Sequence, residues 1–180
     1  MIVIEGPDGT GKTTLARDLS RKFGLEYSRP PAHALSSEGG ALSSALADWW
    51  VEQVAAVPSM RIYDRTYYIS DPIYRPHSGR TPLEDGPSFC RNLAAFIQSA
   101  PAIVFCLPPL EIAMANTFDQ EEGRPQLSYL DREKAEIVYW QYWAAYELWF
   151  EACPEWVKIY NWENREQVID FVADSMRGAF

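Results

Sequence analysis

The chain is poor in the residues that ligate metals and form cross-links. Its 180 residues include three cysteines and two histidines. Cys90, Cys106 and Cys153 are an odd number, widely spaced and without a CxxC pair, so neither a disulfide framework nor a zinc site is expected. Cys106 lies inside the apolar run from Ile103 to Leu107, where a buried thiol is the ordinary outcome. His33 and His77 stand alone in loop-like surroundings and are expected at the surface. No apolar run approaches the length of a membrane span, and the first residues read as strand and loop rather than as a charged leader with an apolar core. A soluble, cytoplasmic protein with no membrane partner is the expectation. Positive charge is also scarce, since 16 Lys and Arg against 25 Asp and Glu leave a net charge of −9. Binding a nucleic-acid polymer normally needs a basic face. The balance points instead to a small phosphorylated molecule, which a few well-placed arginines can hold. Internal repeats, low-complexity tracts and an interdomain linker are missing as well. With 47% hydrophobic and 23% charged residues, a single globular domain spanning 1–180 is expected.

What is present is concentrated near the start. Gly6-Pro7-Asp8-Gly9-Thr10-Gly11-Lys12-Thr13 fits G-x-x-x-x-G-K-[ST], the phosphate-binding loop, at every position. A branched apolar run, Ile2-Val3-Ile4, precedes it and reads as a buried strand. After it, Leu15, Ala16 and Leu19 fall on one side of a helix that also carries Arg17, Asp18 and Arg21. Glycines let the backbone close round a polyphosphate with its N–H groups inward, and the helix N-terminus adds its positive dipole end. Lys12 is placed to bridge the β- and γ-phosphates and the Thr13 hydroxyl to hold Mg²⁺. Gly6, Asp8, Gly9, Thr10, Gly11, Lys12, Thr13 and Thr14 are the candidate residues for a nucleoside triphosphate.

Further on, strands and helices alternate. A helix is predicted from Lys12 to Phe23 with Gly24 as its cap, a short strand at Leu25–Ser28, and a loop from Arg29 to Gly40. A helix over about 41–56 and a strand at Met60–Tyr63 follow. Pro72, Pro76, Gly79 and Pro82 are expected to break up the next segment. Helices are then predicted at Ser88–Ser99, Leu110–Phe118, Ser128–Glu151 and Glu163–Met176, with strands at Ala102–Leu107 and Trp156–Tyr160. Such alternation predicts an α/β protein, a parallel sheet covered on both faces. In the long helix, aromatic residues at 139, 142, 143, 146, 149 and 150 share a face, for which core packing is expected. Part of that face, with Trp49 and Trp50, is the candidate contact of a homodimer.

The second informative stretch is Tyr63-Asp64-Arg65-Thr66, running on to Ser70 and Tyr74. The carboxyl ends of strands line the ligand crevice of an open parallel sheet, so Asp64 and Arg65 are expected to face the phosphate loop. An acid there binds Mg²⁺ directly or through water. An arginine there grips an acceptor phosphate through two parallel hydrogen bonds. The alternative is a surface Asp-Arg pair of little energetic weight.

Taken together, Glu5 to Thr14 with Asp64-Arg65, Ser70 and Tyr74 resembles the thymidylate kinase family and its phage-type deoxynucleotide kinase relatives. The resemblance implies a three-layer α/β/α P-loop kinase fold with a five-stranded parallel sheet and a short lid, here at about 119–127. It implies ATP and Mg²⁺ as cofactors and transfer of the γ-phosphoryl to a small nucleotide acceptor, a deoxynucleoside monophosphate such as dTMP or a related pyrimidine nucleotide. It also implies roles: Asp8 near the acceptor's 3′-hydroxyl or the metal, and Arg65 on the acceptor phosphate. Pro7, Asp8 and Thr10 leave no arginine inside the loop, so the lid is expected to supply it through Arg124, with Arg132 behind. Lys12, Asp64, Arg65 and Arg124 are thus the candidate catalytic residues, and Thr13 and Asp64 the candidate metal ligands. Arg29, Arg75 and Arg91 are further candidate acceptor contacts. The family's Arg-Glu-Pro-Gly-Gly segment is replaced by Ser28-Arg29-Pro30-Pro31. Two other readings stand beside this one. A P-loop kinase acting on a nucleoside, or on a hydroxyl-bearing modified base in DNA, would use Asp64 as a base. A non-kinase P-loop ATPase would show an apolar strand ending in Asp-Glu, which Arg61-Ile62-Tyr63-Asp64-Arg65 does not match, and a GTPase would carry Asn-Lys-x-Asp, which is absent.

Overall fold

A computed structural model describes residues 1–29, 60–77, 87–119 and 130–178, with the side chains of 87–89, 91 and 92 excepted. The predicted helix over 41–56, most of the loop before it, His33, Trp49, Trp50, the Arg91 side chain and nearly all of the expected lid with Arg124 lie outside the described residues.

The first strand, β1 (Ile2–Glu5), is buried along its whole length, and this places it in the middle of the sheet. It pairs in parallel with β3 (Arg61–Asp64) on one side and β4 (Ala102–Cys106) on the other. β2 (Glu26–Ser28) adds to β3 and β5 (Val157–Tyr160) adds to β4, again in parallel. The resulting order is β2-β3-β1-β4-β5. Six α-helices follow in the described residues: α1 (Lys12–Phe23), α2 (Tyr67–Tyr74), α3 (Pro87–Gln98), α4 (Leu110–Phe118), α5 (Arg132–Ala152) and α6 (Arg165–Arg177).

Strand side chains alternate between two apolar layers. Ile2, Ile4, Ile62, Val104 and Cys106 pack with Leu15, Ala16 and Leu19 of α1 and Val168, Ile169 and Val172 of α6. Val3, Tyr63, Ile103 and Phe105 point the other way, into α2 to α5. Each such side chain, removed from water, contributes roughly 1.5–3 kcal/mol relative to exposure. The layers are therefore helix, sheet, helix, as expected, and Cys106 is buried. Among the described residues no helix is long and apolar enough to cross a membrane.

Two elements differ from expectation. The stretch where Pro72 predicts a break is helix α2, because Thr66 caps it by accepting from the Ile69 N–H at 3.2 Å. Pro72 lies in the second turn and forgoes a single backbone bond. The long helix α5 begins at Arg132 rather than Ser128, since Asp131 caps it by accepting from the Lys134 N–H at 2.9 Å. Its aromatic face is largely core: Tyr139 and Tyr142 are buried and Trp143, Tyr146 and Trp149 pack against them, but Phe150 is 48% exposed.

Candidate functional site

The phosphate loop leaves the carboxyl end of β1 and is held by close backbone packing. A Cβ at Gly9 would lie 2.1 Å from Thr117 Oγ1 and 2.5 Å from the Ala113 carbonyl oxygen, both on α4, and φ there is +75°. Gly11 caps α1 in the left-handed region at φ 82° and faces the Trp162 indole, 2.9 Å from where its Cβ would be. Within the loop, the buried Thr10 hydroxyl donates to the Pro7 carbonyl at 2.8 Å and the Asn116 amide to the Gly9 carbonyl at 3.1 Å. The Lys12 ammonium donates to the Pro7 carbonyl. Burial, then repulsion from Arg65, pulls its pKa down to about 8, with Asp8 and Asp64 acting in the opposite sense. An incoming polyphosphate would supply the counter-charge this ammonium lacks.

Strand β3 delivers Asp64 and Arg65 to the same crevice. Asp64 Oδ2 accepts from the Thr13 hydroxyl at 3.0 Å and from the Tyr27 hydroxyl at 2.7 Å. Burial, followed by Asp64 itself, pushes the Tyr27 phenol up to about 12. Thr13 and Asp64 thus bring two hard oxygen donors together. That set suits Mg²⁺, which takes few protein oxygens and fills its remaining positions with phosphate and water.

Arg65 adopts a left-handed backbone, φ 77°, and its N–H donates to the Ile4 carbonyl at 2.9 Å. Its Nη2 lies 2.5 Å from Asp8 Oδ1 and 3.0 Å from the Tyr74 hydroxyl, with the guanidinium 4.7 Å from the centre of the Tyr74 ring. Its Nε is buried with no hydrogen-bond partner among the described residues.

Behind Arg65 sits Glu5, wholly buried at the end of β1. It accepts from the Thr66 N–H at 2.5 Å and the Ser70 hydroxyl at 2.8 Å, and Ser70 Oγ lies 2.6 Å from the Tyr142 hydroxyl of α5. Burial pushes the Glu5 carboxyl up to about 7, against the opposing effect of its hydrogen bonds to Ser70 and Thr66 and of the Arg65 charge.

In front of these groups opens a cleft of about 510 Å³ lined by Asp8, Gly9, Gly11, Lys12, Thr13, Thr14, Arg29 and Asn116. The structure therefore brings together Lys12, Thr13, Asp8, Asp64 and Arg65, and places Arg29 at the cleft. Gly6 and Thr10 are buried beneath the loop. Arg75 Nε and Nη2 lie 2.8 and 2.7 Å from Asp71 Oδ2. Arg132 pairs with Asp119 at the surface. His77 is not isolated; its Nε2 lies 3.3 Å from the Gln141 side-chain oxygen. Glu5, Tyr27, Asn116 and Trp162 have no role in the sequence reading. Only Glu5 carried a usable signal, a charge closing an otherwise apolar strand.

No family model and no curated protein sequence matches the chain. Solved structures do resemble it. Deoxyadenosine kinase from M. mycoides with bound dATP aligns over 98% of both chains with a TM-score of 0.62 at 16% identity. The same enzyme with bound dCTP gives a TM-score of 0.61 at 17% identity over 99% of this chain and 100% of the other. The YorR protein from Bacillus subtilis, in complex with phosphorylated GDP, gives 0.60 at 18% identity over 98% and 93%. These likenesses span the whole length and establish the fold, a three-layer α/β/α architecture that the chain shares with those proteins.

Proposed function

We propose that this protein is an ATP-dependent kinase that transfers the γ-phosphoryl group to a deoxynucleoside monophosphate. The observation that carries the reading is the placement of Arg65. A second cation, whose buried Nε has no hydrogen-bond partner among the described residues, stands against Asp8 of a complete phosphate-loop sequence. A loop that only hydrolysed its nucleotide has no need of an anion site there.

The chain's own residues supply the following. The loop N–H groups, the α1 N-terminus and Lys12 bind the β- and γ-phosphates. Thr13 and Asp64 would hold Mg²⁺, which neutralises charge on the phosphates when bound. Arg65 exchanges Asp8 for an acceptor phosphate and aims one of its oxygens at the γ-phosphorus. That oxygen forms the new P–O bond, the bond to the β–γ bridging oxygen breaks, and ADP departs. Arg124 is proposed to join from the lid and neutralise charge on the transferring group. Tyr27, by sharing Asp64 with Thr13, fixes the carboxylate that faces the metal.

Thymidylate or a related pyrimidine nucleotide is the acceptor to which the thymidylate kinase resemblance points. A second reading, a nucleoside as acceptor, draws support from the likeness to deoxyadenosine kinase. In that case Asp64, whose Oδ2 holds Thr13 and Tyr27, would act as the base through Oδ1. A coupled ADP-release assay across nucleoside monophosphates and nucleosides tests both. Turnover confined to monophosphates is expected; turnover on nucleosides alone selects the second reading, and no turnover with intact ATP binding removes both.

A further inference from the structure

Glu5 calls for an explanation that core packing does not give. Ile2, Val3 and Ile4 precede it on β1, each fully buried and apolar, and an apolar side chain at position 5 would avoid desolvating a carboxyl. Among the described residues none of its hydrogen bonds goes to a cation. They go to groups that follow Arg65 in the chain: the N–H of Thr66, the next residue, and the hydroxyl of Ser70, one turn into α2. The preceding residue of β1 completes the grip, since the Ile4 carbonyl accepts from the N–H of Arg65 itself. Arg65 is thus clipped on both sides of its left-handed backbone by two consecutive residues of the strand that runs on into the phosphate loop. Tyr142 braces Ser70 from α5.

We infer that Glu5 is a positioning residue: its carboxyl fixes the Arg65 backbone and the first turn of α2 so that the guanidinium points across the crevice at Asp8 and at an acceptor phosphate. The inference rests on the kinase reading for its functional half and on geometry alone for its structural half. What matters in Glu5 is reach and accepting capacity, not charge. Glutamine retains the reach, accepts from the Thr66 N–H through Oε1 and donates to Ser70 Oγ, whose hydroxyl can then turn toward Tyr142. Aspartate keeps the charge but is one methylene short.

Glu5→Gln, Glu5→Asp and Arg65→Ala are compared with the unsubstituted protein in kinetics with ATP and the accepted nucleoside monophosphate. ATP binding is measured separately by calorimetry, and a crystal structure of Glu5→Asp is determined. Glu5→Asp is expected to lower kcat/KM for the acceptor about 10- to 100-fold, with the ATP dissociation constant changed less than about threefold. Glu5→Gln is expected to stay within about threefold of the parent on both counts. Should Glu5→Asp fail to fold, Ser70→Ala removes one of the two bonds and is expected to lower the same ratio by about threefold or more. Aspartate behaving like glutamate, or glutamine being as impaired as aspartate, overturns the inference. So does a Glu5→Asp crystal structure in which Arg65 keeps its left-handed backbone and its contact with Asp8. If Arg65→Ala leaves acceptor kinetics unchanged, the acceptor reading is what fails, and the crystal structure still decides the role of Glu5.

Discussion

Glu5→Gln should change how stability depends on pH, whatever the enzyme does. In the folded protein the carboxyl titrates at about 7, against 4.5 for an ordinary glutamate, and the cause is burial. Below pH 4.5 the group is protonated in both folded and unfolded chains, so burial of the neutral acid costs nothing extra. As pH rises from 4.5 toward 7 the unfolded chain ionises first, and the folded state loses stability relative to it. Above 7 both are ionised and the loss is complete. The gap of about 2.5 units, at roughly 1.4 kcal/mol per unit, makes this loss about 3.5 kcal/mol. Glutamine cannot ionise and escapes it. Urea denaturation of both proteins at half-unit steps from pH 4 to 8.5 isolates the effect, because every other titrating group cancels in the difference. The stability of Glu5→Gln minus that of the parent should rise by about 3.5 kcal/mol across this window and then level off. Parallel curves throughout would mean that the carboxyl titrates at its ordinary value and that burial is relieved by something the described residues do not show.

The site itself offers three more tests. Lys12→Ala should lower phosphoryl transfer by roughly 10²–10³-fold or more while circular dichroism and melting stay native; unchanged turnover would remove the loop from the mechanism. Arg65→Ala should raise the acceptor KM or lower kcat, with little change in ATP affinity, and an effect confined to ATP would reassign Arg65 to the donor. Gly9→Ala should cost roughly 1–3 kcal/mol from overpacking against Thr117 and Ala113, and about 1 kcal/mol more from its left-handed backbone, read in a denaturation midpoint.

The sequence was most legible where one short stretch carries both structure and chemistry. Ile2 to Thr14 encodes a strand, a turn that only glycines can make and a helix start, and all appear where expected. Arg61 to Arg65 was legible for a related reason, since a parallel sheet sends strand ends to one crevice. What failed to show were partnerships made across the fold. Nothing in Leu25-Glu26-Tyr27-Ser28 announces that Tyr27 will bond to Asp64, because that pairing depends on β2 lying next to β3. Pro72 argued locally against a helix, and the Thr66 cap together with burial of Tyr67, Ile69, Ile73 and Tyr74 outweighed it. Nor does the sequence announce that Arg75 will pair with Asp71, four residues before it and buried, since that depends on the segment forming helix α2.

The central position of β1 has a consequence for how the sheet assembles. Ile2 pairs with Ile62 on one side and Ala102 on the other, so β1 is flanked only by strands distant from it in sequence. Contacts so distant in sequence close slowly, and until they form an apolar strand stays uncovered. The phosphate loop hangs from that strand. Nucleotide binding should therefore appear only once both neighbouring strands have paired with β1, which would make a bound nucleotide a reporter of when the centre of the sheet is in place.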